Sequence, residues 1–487
     1  MGTFYVENFG CRATQADGAA IERQFRECGF YRADSAEAQV VVLNTCTVTA
    51  SADQDARAAI RRIHRENPTC QIVVTGCYAQ RAPEEIAALP GVSTVVGNSH
   101  KHELVDIAGK APSLVVGRWS LAKTSELSSE NLATSSAGNF VPLSRLMSLP
   151  TTNDQGPTTE VFVSDIFAHT ELLAAPVFDA ANERTRPNLK VQDGCDNRCS
   201  FCVIPYVRGQ SRSLPLDRIL SEVNALVAAG YREVVISGIN LGRWGRDLPV
   251  VGRSSLVIGQ PHSDQRLESL VHAILDNTTL EKLRISSVEP MDWSDELIHL
   301  VATSPRIAKH AHVPMQSGSD RILRAMHRKY RPWHYEDKIR KIRQAMPTAA
   351  IGADVMVGFP CETDADFDET RRMIESLPFT YLHIFTYSAR PGTPAADLPD
   401  QVPVQIARRR NRILRDLAAA KKLEFMRSFV GKSIEAITLN AFDGELTEAL
   451  TENYLKLRIA GRHLPNQWIN ARISEVRTGA LLSSGLS

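Results

Sequence analysis

Three cysteines lie close together near the middle of the chain, as Cys195, Cys199 and Cys202. The C-x3-C-x2-C spacing allows three thiolates to converge on one small iron–sulfur cluster, since such clusters are normally held by cysteine thiolates. Three ligands for four irons leave one iron open to a ligand that takes part in chemistry, as the open position of a catalytic zinc ion does. The alternative is zinc, but a structural zinc site usually takes four ligands, often from paired CxxC motifs.

Three further cysteines, Cys11, Cys46 and Cys77, lie in the N-terminal part of the chain, and each follows a predicted strand. In parallel α/β folds the carboxyl ends of the strands share one edge, where ligands bind. These residues can therefore form one site although they are far apart in sequence. Free cysteine is also a common core residue, so the spacing alone leaves both interpretations open.

The elements that must position these cysteines alternate along the chain. Residues 1–109 contain buried-strand patterns at Ala38–Leu43 and Gln71–Thr75 with a helical pattern at Ala52–Glu66 between them, which predicts an N-terminal α/β domain. Residues 184–427 hold repeated strand–helix units, which predict a partial (β/α) barrel. The strands predicted there are Glu233–Ser237, Lys282–Ser286, Ala311–Pro314, Ala349–Met356 and Tyr381–Tyr387, with helices such as Asp217–Ala229 and Asp366–Ser376.

Two further regions differ in composition. Residues 110–183 include the Ser-rich stretch Lys123–Asn139 and are predicted to be a linker or insertion, and Pro249–Gln265 is predicted to be a second insertion. Residues 428–487 show short β-like runs separated by Gly and Asn turns, which predicts a small C-terminal β-barrel. The predicted fold class is α/β with this barrel appended.

Composition narrows the class of protein. The chain has 487 residues, nine cysteines and a formal net charge of +1. An odd and modest cysteine count argues against a disulfide framework, and no apolar run approaches the ~20 residues that cross a bilayer. Met1–Phe9 lacks the apolar core of a signal peptide. We therefore expect a cytoplasmic protein with no membrane partner, on which any nucleic-acid surface is local.

The central cysteine motif resembles the signature of the radical S-adenosylmethionine superfamily, and Phe201 fits the aromatic residue that precedes its third cysteine. The resemblance implies that Cys195, Cys199 and Cys202 hold a catalytic 4Fe-4S cluster whose open iron chelates S-adenosylmethionine. It implies further that one-electron reduction yields a 5′-deoxyadenosyl radical, which abstracts hydrogen from the substrate. The protein's part is then positioning and electronic tuning.

The motifs FGCR, NTCTVT and TGCYAQ around the other three cysteines resemble the N-terminal domain of the methylthiotransferases of that superfamily. The resemblance implies that Cys11, Cys46 and Cys77 hold a second 4Fe-4S cluster, which is implicated in supplying the inserted sulfur. Ser237–Gly242 and His312–Asp320 also resemble the corresponding segments of that family, so the resemblance covers most of the chain. Candidates for cofactor binding are Phe201 and, within these segments, Gly238, Asn240 and Gln316.

Three other cysteines match no ligand of that family. Cys28 and Cys70 are predicted to be core or surface thiols. Cys361 stands where the family usually has glycine, and glycine there would permit a positive φ. The sequence therefore leaves the geometry of the loop that contains Cys361 open, and Cys361 is not predicted to bind iron.

The resemblance also implies the partners of the protein. The family has branches that act on isopentenyladenosine in tRNA, on threonylcarbamoyladenosine in tRNA and on a ribosomal-protein aspartate, and the motifs here favour the second, MtaB-like branch. The tRNA anticodon loop would be the substrate, served by an electron donor such as flavodoxin or ferredoxin and by a sulfur source. The rival of another kind is a non-enzymatic, zinc-bearing RNA-binding module.

Three segments are candidates for contact with RNA. Thr451–Tyr454 and the β segment around it resemble a TRAM domain, a small barrel that binds RNA in this family. The basic runs Arg321–Arg343 and Arg408–Arg427 combine positive charge with nearby aromatic residues, which suits phosphate contact and base stacking. A solvated helical face explains either run equally well.

Overall fold

A six-stranded parallel sheet carries the first three cysteines of interest at the ends of its strands. The computed structural model describes residues 2–109, 159–169, 172, 186–249 and 265–486. Within them the sheet has the order β2-β1-β3-β4-β5-β6. Its strands are β1 (Thr3–Asn8), β2 (Tyr31–Arg32), β3 (Val40–Thr45), β4 (Gln71–Gly76), β5 (Val92–Gly97) and β6 (Glu160–Phe162). Its helices are α1 (Arg12–Glu27), α2 (Ala50–Glu66), α3 (Cys77–Arg81), α4 (Pro83–Ala87) and α5 (Leu104–Gly109).

Both faces of this sheet are covered, as the continuous apolar strands β3 and β4 require. Alternate residues of β3 pack against α2 on one face and against α1 and α5 on the other. Strand β6 pairs in parallel with β5, although it falls within residues 110–183, which the sequence assigns to a linker. The structure therefore adds the end of that segment to the N-terminal sheet. The Ser-rich stretch Lys123–Asn139 lies outside the described residues.

Six parallel strands form the predicted partial barrel, and a short antiparallel strand, β8, pairs with the first of them. The strands are β7 (Asn188–Asp193), β8 (Arg212–Ser213), β9 (Glu233–Gly238), β10 (Lys282–Ile285), β11 (His310–His312), β12 (Ala350–Val357) and β13 (Tyr381–Thr386). Isolated parallel bridges, Leu283 to Ile307 and Ser287 to His312, join the sheet that ends at β10 to the sheet that begins at β11. The predicted strands are confirmed, with small shifts at their ends.

Helices cover the outside of these strands. They are α7 (Leu216–Ala228), α8 (Leu267–Asn277), α9 (Asp295–Thr303), α10 (Asp320–Ala325), α11 (Pro332–Ala345), α12 (Asp364–Ser376) and α13 (Val404–Arg427). Helix α6 (Ile204–Arg208) instead packs against α3 of the N-terminal domain. Among the described helices, none is apolar over the length that a bilayer requires. Most of the predicted insertion Pro249–Gln265 lies outside the described residues.

The inside of the partial barrel, here called the lumen, is polar. Side chains alternate between the two faces of a strand, and the apolar ones, such as Leu283 and Ala311, pack outward against the helices. Their neighbours therefore face the lumen, among them Asn188, Lys190, Glu233, Arg284, His310, His312, Asp354, Tyr381 and His383. A barrel packed for stability alone fills its interior with branched apolar residues, so this lumen has the composition of a binding site.

The N-terminal domain spans the open side of the partial barrel. On one side, Asp17 of α1 forms buried ion pairs with Lys190 of β7 and, at 3.0 Å, with Arg208. On the other side, Asp53 of α2 pairs at 2.9 Å with Arg390, which follows β13. The N-terminal domain therefore bridges β7 and β13, the first and last parallel strands of the partial barrel, which do not pair with each other.

A closed five-stranded barrel follows α13, as predicted, in the order β14-β15-β16-β18-β17. Side-chain amides attach it to loops that precede barrel strands: Asn466 donates to the Gly230 carbonyl at 2.7 Å and Asn453 to the Thr348 carbonyl at 3.1 Å. It therefore lies at the end of the partial barrel opposite the cysteine loop. Its strands are β14 (Ser433–Phe442), β15 (Leu446–Thr451), β16 (Lys456–Ala460), β17 (Trp468–Arg477) and β18 (Ala480–Leu486).

Candidate cluster sites and the lumen between them

The loop that follows β7 holds the central cysteines in a fixed conformation. The Cys195 amide donates to the Gly209 carbonyl at 3.1 Å, and the Cys202 amide donates to the Cys199 carbonyl at 3.1 Å. Between these cysteines, the Ser200 hydroxyl donates to the carbonyl of Ala325, at the end of α10, at 2.7 Å. The loop is therefore attached both to the chain that returns from α6 and to the far side of the barrel.

Three N–H groups point at the sulfur atoms of this loop. The Asn197 amide lies 3.4 Å from Cys195 Sγ, and Asn240 Nδ2 lies 3.6 Å from the same sulfur. Arg328 Nη1 lies 3.3 Å from Cys199 Sγ. Such donors stabilise thiolates and tune the potential of iron–sulfur centres.

Arg328 is a functional candidate that the sequence analysis did not single out. It falls in the run Arg321–Arg343, which was interpreted as a possible phosphate-binding surface, but its side chain is buried. Beside its bond to Cys199, it forms an ion pair with Glu289, and its guanidinium lies 4.9 Å from the centre of the Tyr330 ring. A buried arginine held against a cysteine sulfur is typical of a site that takes a negatively charged group.

The donor set fits an iron–sulfur cluster. Burial and the neighbouring Cys199 raise the pKa of Cys202 to about 12, and burial is also the main cause of the raised pKa of Cys195. Cys195 and Cys202 would therefore lose their protons when a metal cation replaces them, because metal binding and thiol ionisation are coupled. Cys195, Cys199 and Cys202 would hold that cluster.

The other predicted cofactor residues have distinct positions. Asn240 lies beside Cys195, and its backbone amide donates to Gln192 Oε1 at 2.7 Å. Gly238 ends β9 against the same glutamine, because a Cβ there would lie 2.8 Å from Gln192 Oε1. Gln316 follows β11 with φ of 61° and donates its amide to the Asp354 carbonyl at 2.8 Å.

Phe201 has a different environment from the other candidates. Its ring packs edge-on against Phe359, with 6.5 Å between the ring centres. It packs against a small apolar cluster that includes Ile322 and Phe359, and this contact anchors the cysteine loop to the barrel.

The N-terminal cysteines lie at the carboxyl ends of adjacent strands, as their positions in the sequence predict. Cys11 precedes α1, Cys46 follows β3 and Cys77 begins α3 directly after β4. Gly10, with φ of 98°, lies so close to Cys46 that an added Cβ would come within 2.8 Å of its sulfur. The strand order β1-β3-β4 therefore brings the three thiols to one edge of the sheet.

As at the central loop, burial raises a cysteine pKa and polar side chains contact the sulfur atoms. Burial and the neighbouring Cys77 raise the pKa of Cys46 to about 12. Asn98 Nδ2 lies 3.6 Å from Cys77 Sγ, and Thr14 Oγ1 lies 3.5 Å from Cys11 Sγ. Cys46 and Cys77 are buried, whereas Cys11 is exposed. The set fits a second cluster with one side open to the lumen.

Arg208 connects the two groups of thiols. Arg208 Nη1 donates to both carboxylate oxygens of Asp193, at 2.9 Å to each, just before the central cysteine loop. The guanidinium also lies 3.5 Å from the Thr14 hydroxyl, which contacts Cys11. Burial lowers the pKa of Arg208, but Asp193 and then Cys77 raise it, and the pKa is raised overall. One buried cation thus contacts the supports of both sites.

The remaining cysteines lie elsewhere. Cys70 is buried in the N-terminal core and Cys28 is exposed. Cys361 keeps a positive φ of 66° although it is not glycine, and its thiol donates to the Pro399 carbonyl at 3.3 Å. The left-handed conformation expected for glycine is therefore retained at this loop.

A single metal ion is a poorer match than a cluster. In the described part of the chain, no three His, Cys, Asp or Glu side chains are grouped as ligands of one metal ion. A four-iron cluster binds each thiolate through a different iron atom, so its ligands stand farther apart than those of one zinc ion.

We expect the Gly10→Ala variant to lose iron from the N-terminal site, since its new methyl group would press on Cys46. Total iron per reconstituted chain should fall by about half, because the central cluster would remain. Gly29→Ala is the matched control: φ at Gly29 is also positive, at 82°, but nothing lies within 4 Å of the added methyl. Iron analysis of both variants checks this, and equal iron in the two would contradict it.

The two basic runs differ in what their arginines contact. In the run Arg321–Arg343 most arginines bind groups of the protein itself, such as Arg321 with Asp366 and Arg340 with Glu336. Helix α13 instead packs Ala407, Arg410, Leu414 and Ala418 inward and exposes Arg408, Arg409, Arg412 and Arg415. The structure thus favours α13 over the first run as a phosphate-binding surface.

Two family models and a solved structure are similar to parts of this chain. Residues 3–97 match the uncharacterized protein family UPF0004, and residues 189–374 match the radical SAM superfamily. The radical S-adenosylmethionine methyltransferase TsrM from Kitasatospora setae has a similar fold, with a TM-score of 0.51 over 81% of this chain and 75% of that chain at 15% identity.

Relatives of known name are similar over almost the whole chain. The threonylcarbamoyladenosine tRNA methylthiotransferase MtaB of Aquifex aeolicus is 35% identical over 93% of this chain and 96% of its own length. MtaB of Bacillus subtilis is 34% identical over 95% and 91%. A tRNA-2-methylthio-N(6)-dimethylallyladenosine synthase from Endomicrobium trichonymphae is 28% identical over 98% of both. The chain belongs to the MtaB family of threonylcarbamoyladenosine tRNA methylthiotransferases, within the radical S-adenosylmethionine superfamily.

Proposed function

We propose that this protein adds a methylthio group to carbon 2 of N6-threonylcarbamoyladenosine next to the anticodon of tRNA. Membership of the MtaB family supports this activity over the isopentenyladenosine and ribosomal-protein alternatives. The observation that supports it most directly is the presence of two groups of three thiols on domains that meet at one polar lumen.

The proposed roles follow the predicted domains. Residues 184–427 bind S-adenosylmethionine at a 4Fe-4S cluster on Cys195, Cys199 and Cys202, and residues 1–109 bind a second cluster on Cys11, Cys46 and Cys77. A cluster held on the central loop, with S-adenosylmethionine bound, would on reduction supply the radical that activates the purine. The chain's own residues bind and orient: Arg328 compensates the charge of the thiolates, and Asn240 holds Cys195.

The target base is reached in a single-stranded loop, where bases can be splayed out and stacked on aromatic side chains. The exposed arginines of α13 and the barrel of residues 428–487 are proposed to bind the tRNA backbone. A second S-adenosylmethionine supplies the methyl group, and an electron donor of the flavodoxin or ferredoxin kind and a sulfur source complete the reaction. We expect the protein to act in the cytoplasm.

The test is nucleoside analysis of tRNA. Reconstituted protein, S-adenosylmethionine, a reductant and sulfide are incubated with tRNA that carries threonylcarbamoyladenosine, and in parallel with tRNA that carries isopentenyladenosine. We expect the mass increase of a methylthio group on the first nucleoside alone. The proposal is wrong if only the second nucleoside, or neither, is converted by protein that cleaves the cofactor.

A further inference from the structure

The floor of the lumen gathers three arginines around one tyrosine, and the function described above does not use them. Tyr454, from the C-terminal barrel, accepts a hydrogen bond from Arg12 Nη2 at 2.9 Å. The guanidinium carbons of Arg186 and Arg284 lie 5.7 and 5.4 Å from the centre of its ring. All three domains thus contribute to one group of side chains.

Positive charge is in excess in this group. Glu233 is the carboxylate that pairs with it, at 2.6 Å from Arg284 and 3.6 Å from Arg186. Burial raises the pKa of Tyr454, yet that pKa is lowered overall because Arg12, Arg186 and Arg284 favour the phenolate. Three guanidinium groups around one carboxylate leave a net positive potential at the tyrosine hydroxyl, which an anion would neutralise.

Several buried polar atoms beside the floor have no hydrogen-bond partner within the described protein. They include both side-chain polar atoms of Asn188, and Arg186 Nη1, which lies 3.6 Å from Glu233 Oε1, beyond hydrogen-bond distance. Buried polar atoms are nearly always paired in folded proteins. A group of unpaired polar atoms on the inner side of a barrel indicates a polar ligand that forms the hydrogen bonds they lack.

The walls next to the floor are aromatic. The rings of His310 and Tyr381 lie 5.3 and 6.3 Å from that of Tyr454, and His310 Nε2 is 2.7 Å from the Tyr381 hydroxyl. Flat rings beside a cationic floor suit a planar base that carries an anionic substituent. Arg12 is exposed and directly follows Cys11, so the floor is open to a ligand and adjoins the N-terminal thiols.

We propose that Arg12, Arg186 and Tyr454 bind the carboxylate of the threonylcarbamoyl group and so select this substrate. The assignment rests on the proposed function, and it adds a residue from the C-terminal barrel to the recognition of the base. Threonylcarbamoyl ends in a carboxylate, which arginine binds through paired charge-assisted hydrogen bonds. A dimethylallyl group in the same place would leave the arginines unpaired, so the floor also excludes an apolar substituent.

The test compares two substrates with reconstituted full-length protein. One is an anticodon stem-loop with threonylcarbamoyladenosine, and the other carries the same base with the threonine carboxylate converted to a carboxamide. For the wild type we expect kcat/KM to be about 10- to 100-fold lower on the carboxamide, as for loss of a charged hydrogen-bond partner. Arg12→Gln should lower kcat/KM on the carboxylate substrate by a similar factor and scarcely change it on the carboxamide.

Two further variants test whether the effect of Arg12→Gln comes from the lost charge at this site. Arg12→Lys keeps the charge and should recover part of the preference for the carboxylate, whereas Arg218→Gln, on the exposed face of α7, should behave as the wild type. Equilibrium binding of the two nucleosides provides a readout that does not depend on turnover, and it should show the same difference between wild type and Arg12→Gln.

The possible outcomes separate this inference from the proposed function. If the wild type converts neither substrate, the proposed function fails. If it converts both equally well, the function stands and the carboxylate site is wrong. If Arg12→Gln impairs both substrates equally, Arg12 binds another group, such as a phosphate of the anticodon loop, and the carboxylate assignment is overturned.

Discussion

Reconstituted Cys199→Ala protein is expected to form less 5′-deoxyadenosine than the wild type by a factor of about a thousand or more. The central loop supplies three thiols, and its cluster needs all three if one iron is to stay open for the cofactor. Two thiols cannot hold the cluster in that state. The loss should therefore appear in cofactor cleavage itself, before any tRNA is added.

The surroundings of Cys199 add to the expected effect. Arg328 donates to its sulfur at 3.3 Å and is otherwise paired with Glu289 in a buried environment. Alanine would remove the sulfur atom to which this guanidinium donates and would leave Glu289 as its ion-pair partner. The variant therefore loses a contact between the loop and Arg328 as well as a cluster ligand, so it should also bind iron less tightly.

Chromatographic detection of 5′-deoxyadenosine under a strong reductant measures the effect. Cys361→Ala is the matched control in the same domain, because its thiol contacts the Pro399 carbonyl and no other described cysteine. It should cleave the cofactor as the wild type does. Normal cleavage by Cys199→Ala would show that this residue does not hold the catalytic cluster.

The sequence was sufficient to predict the architecture because each element has a local signature. Apolar runs such as that of β3, the helical pattern of α2 and the cysteine spacings are all contained in short segments. The carboxyl ends of parallel strands lie at one edge of the sheet because the strands run in the same direction. Cys11, Cys46 and Cys77 could therefore be assigned to one edge before the structure was known.

Contacts between domains could not be predicted in this way. Arg328 lay within a basic run that has the composition of a surface, and only the folded barrel shows that it is buried against Cys199. The ion pairs of Asp17 with Lys190 and of Asp53 with Arg390 join residues far apart in sequence. Tyr454 was assigned to an RNA-binding barrel, yet its ring forms the floor of the lumen.

One signal in the sequence could have indicated the lumen. His310 and His312 alternate with Ala311 in a strand that helices cover from outside, and Tyr381 and His383 alternate around Leu382. Alternation of this kind is unexpected for a parallel strand buried on both faces, which is usually apolar throughout. Polar residues at every second position therefore indicate an interior that binds a ligand.

The second large effect is expected at the N-terminal site, where Cys46→Ala should stop methylthiolation almost completely and leave cofactor cleavage close to that of the wild type. Cys46 is buried between the ends of adjacent strands, and its thiol lies near those of Cys77 and Cys11. Loss of one of three ligands should remove the second cluster. The central loop is held by contacts of its own, so cleavage should persist.

The contrast between the two variants tests the division of labour between the thiol groups. Nucleoside analysis measures thiolation and 5′-deoxyadenosine measures cleavage in the same reaction, with Cys28→Ala as the N-terminal control because Cys28 is an exposed thiol outside the site. Unchanged thiolation by Cys46→Ala would refute the role of this site. Loss of cleavage as well would point to Arg208, which contacts the supports of both sites, as a structural link that the variant disturbs. Loss of both activities in Cys199→Ala, and of thiolation alone in Cys46→Ala, is the result expected of two distinct clusters that face one lumen.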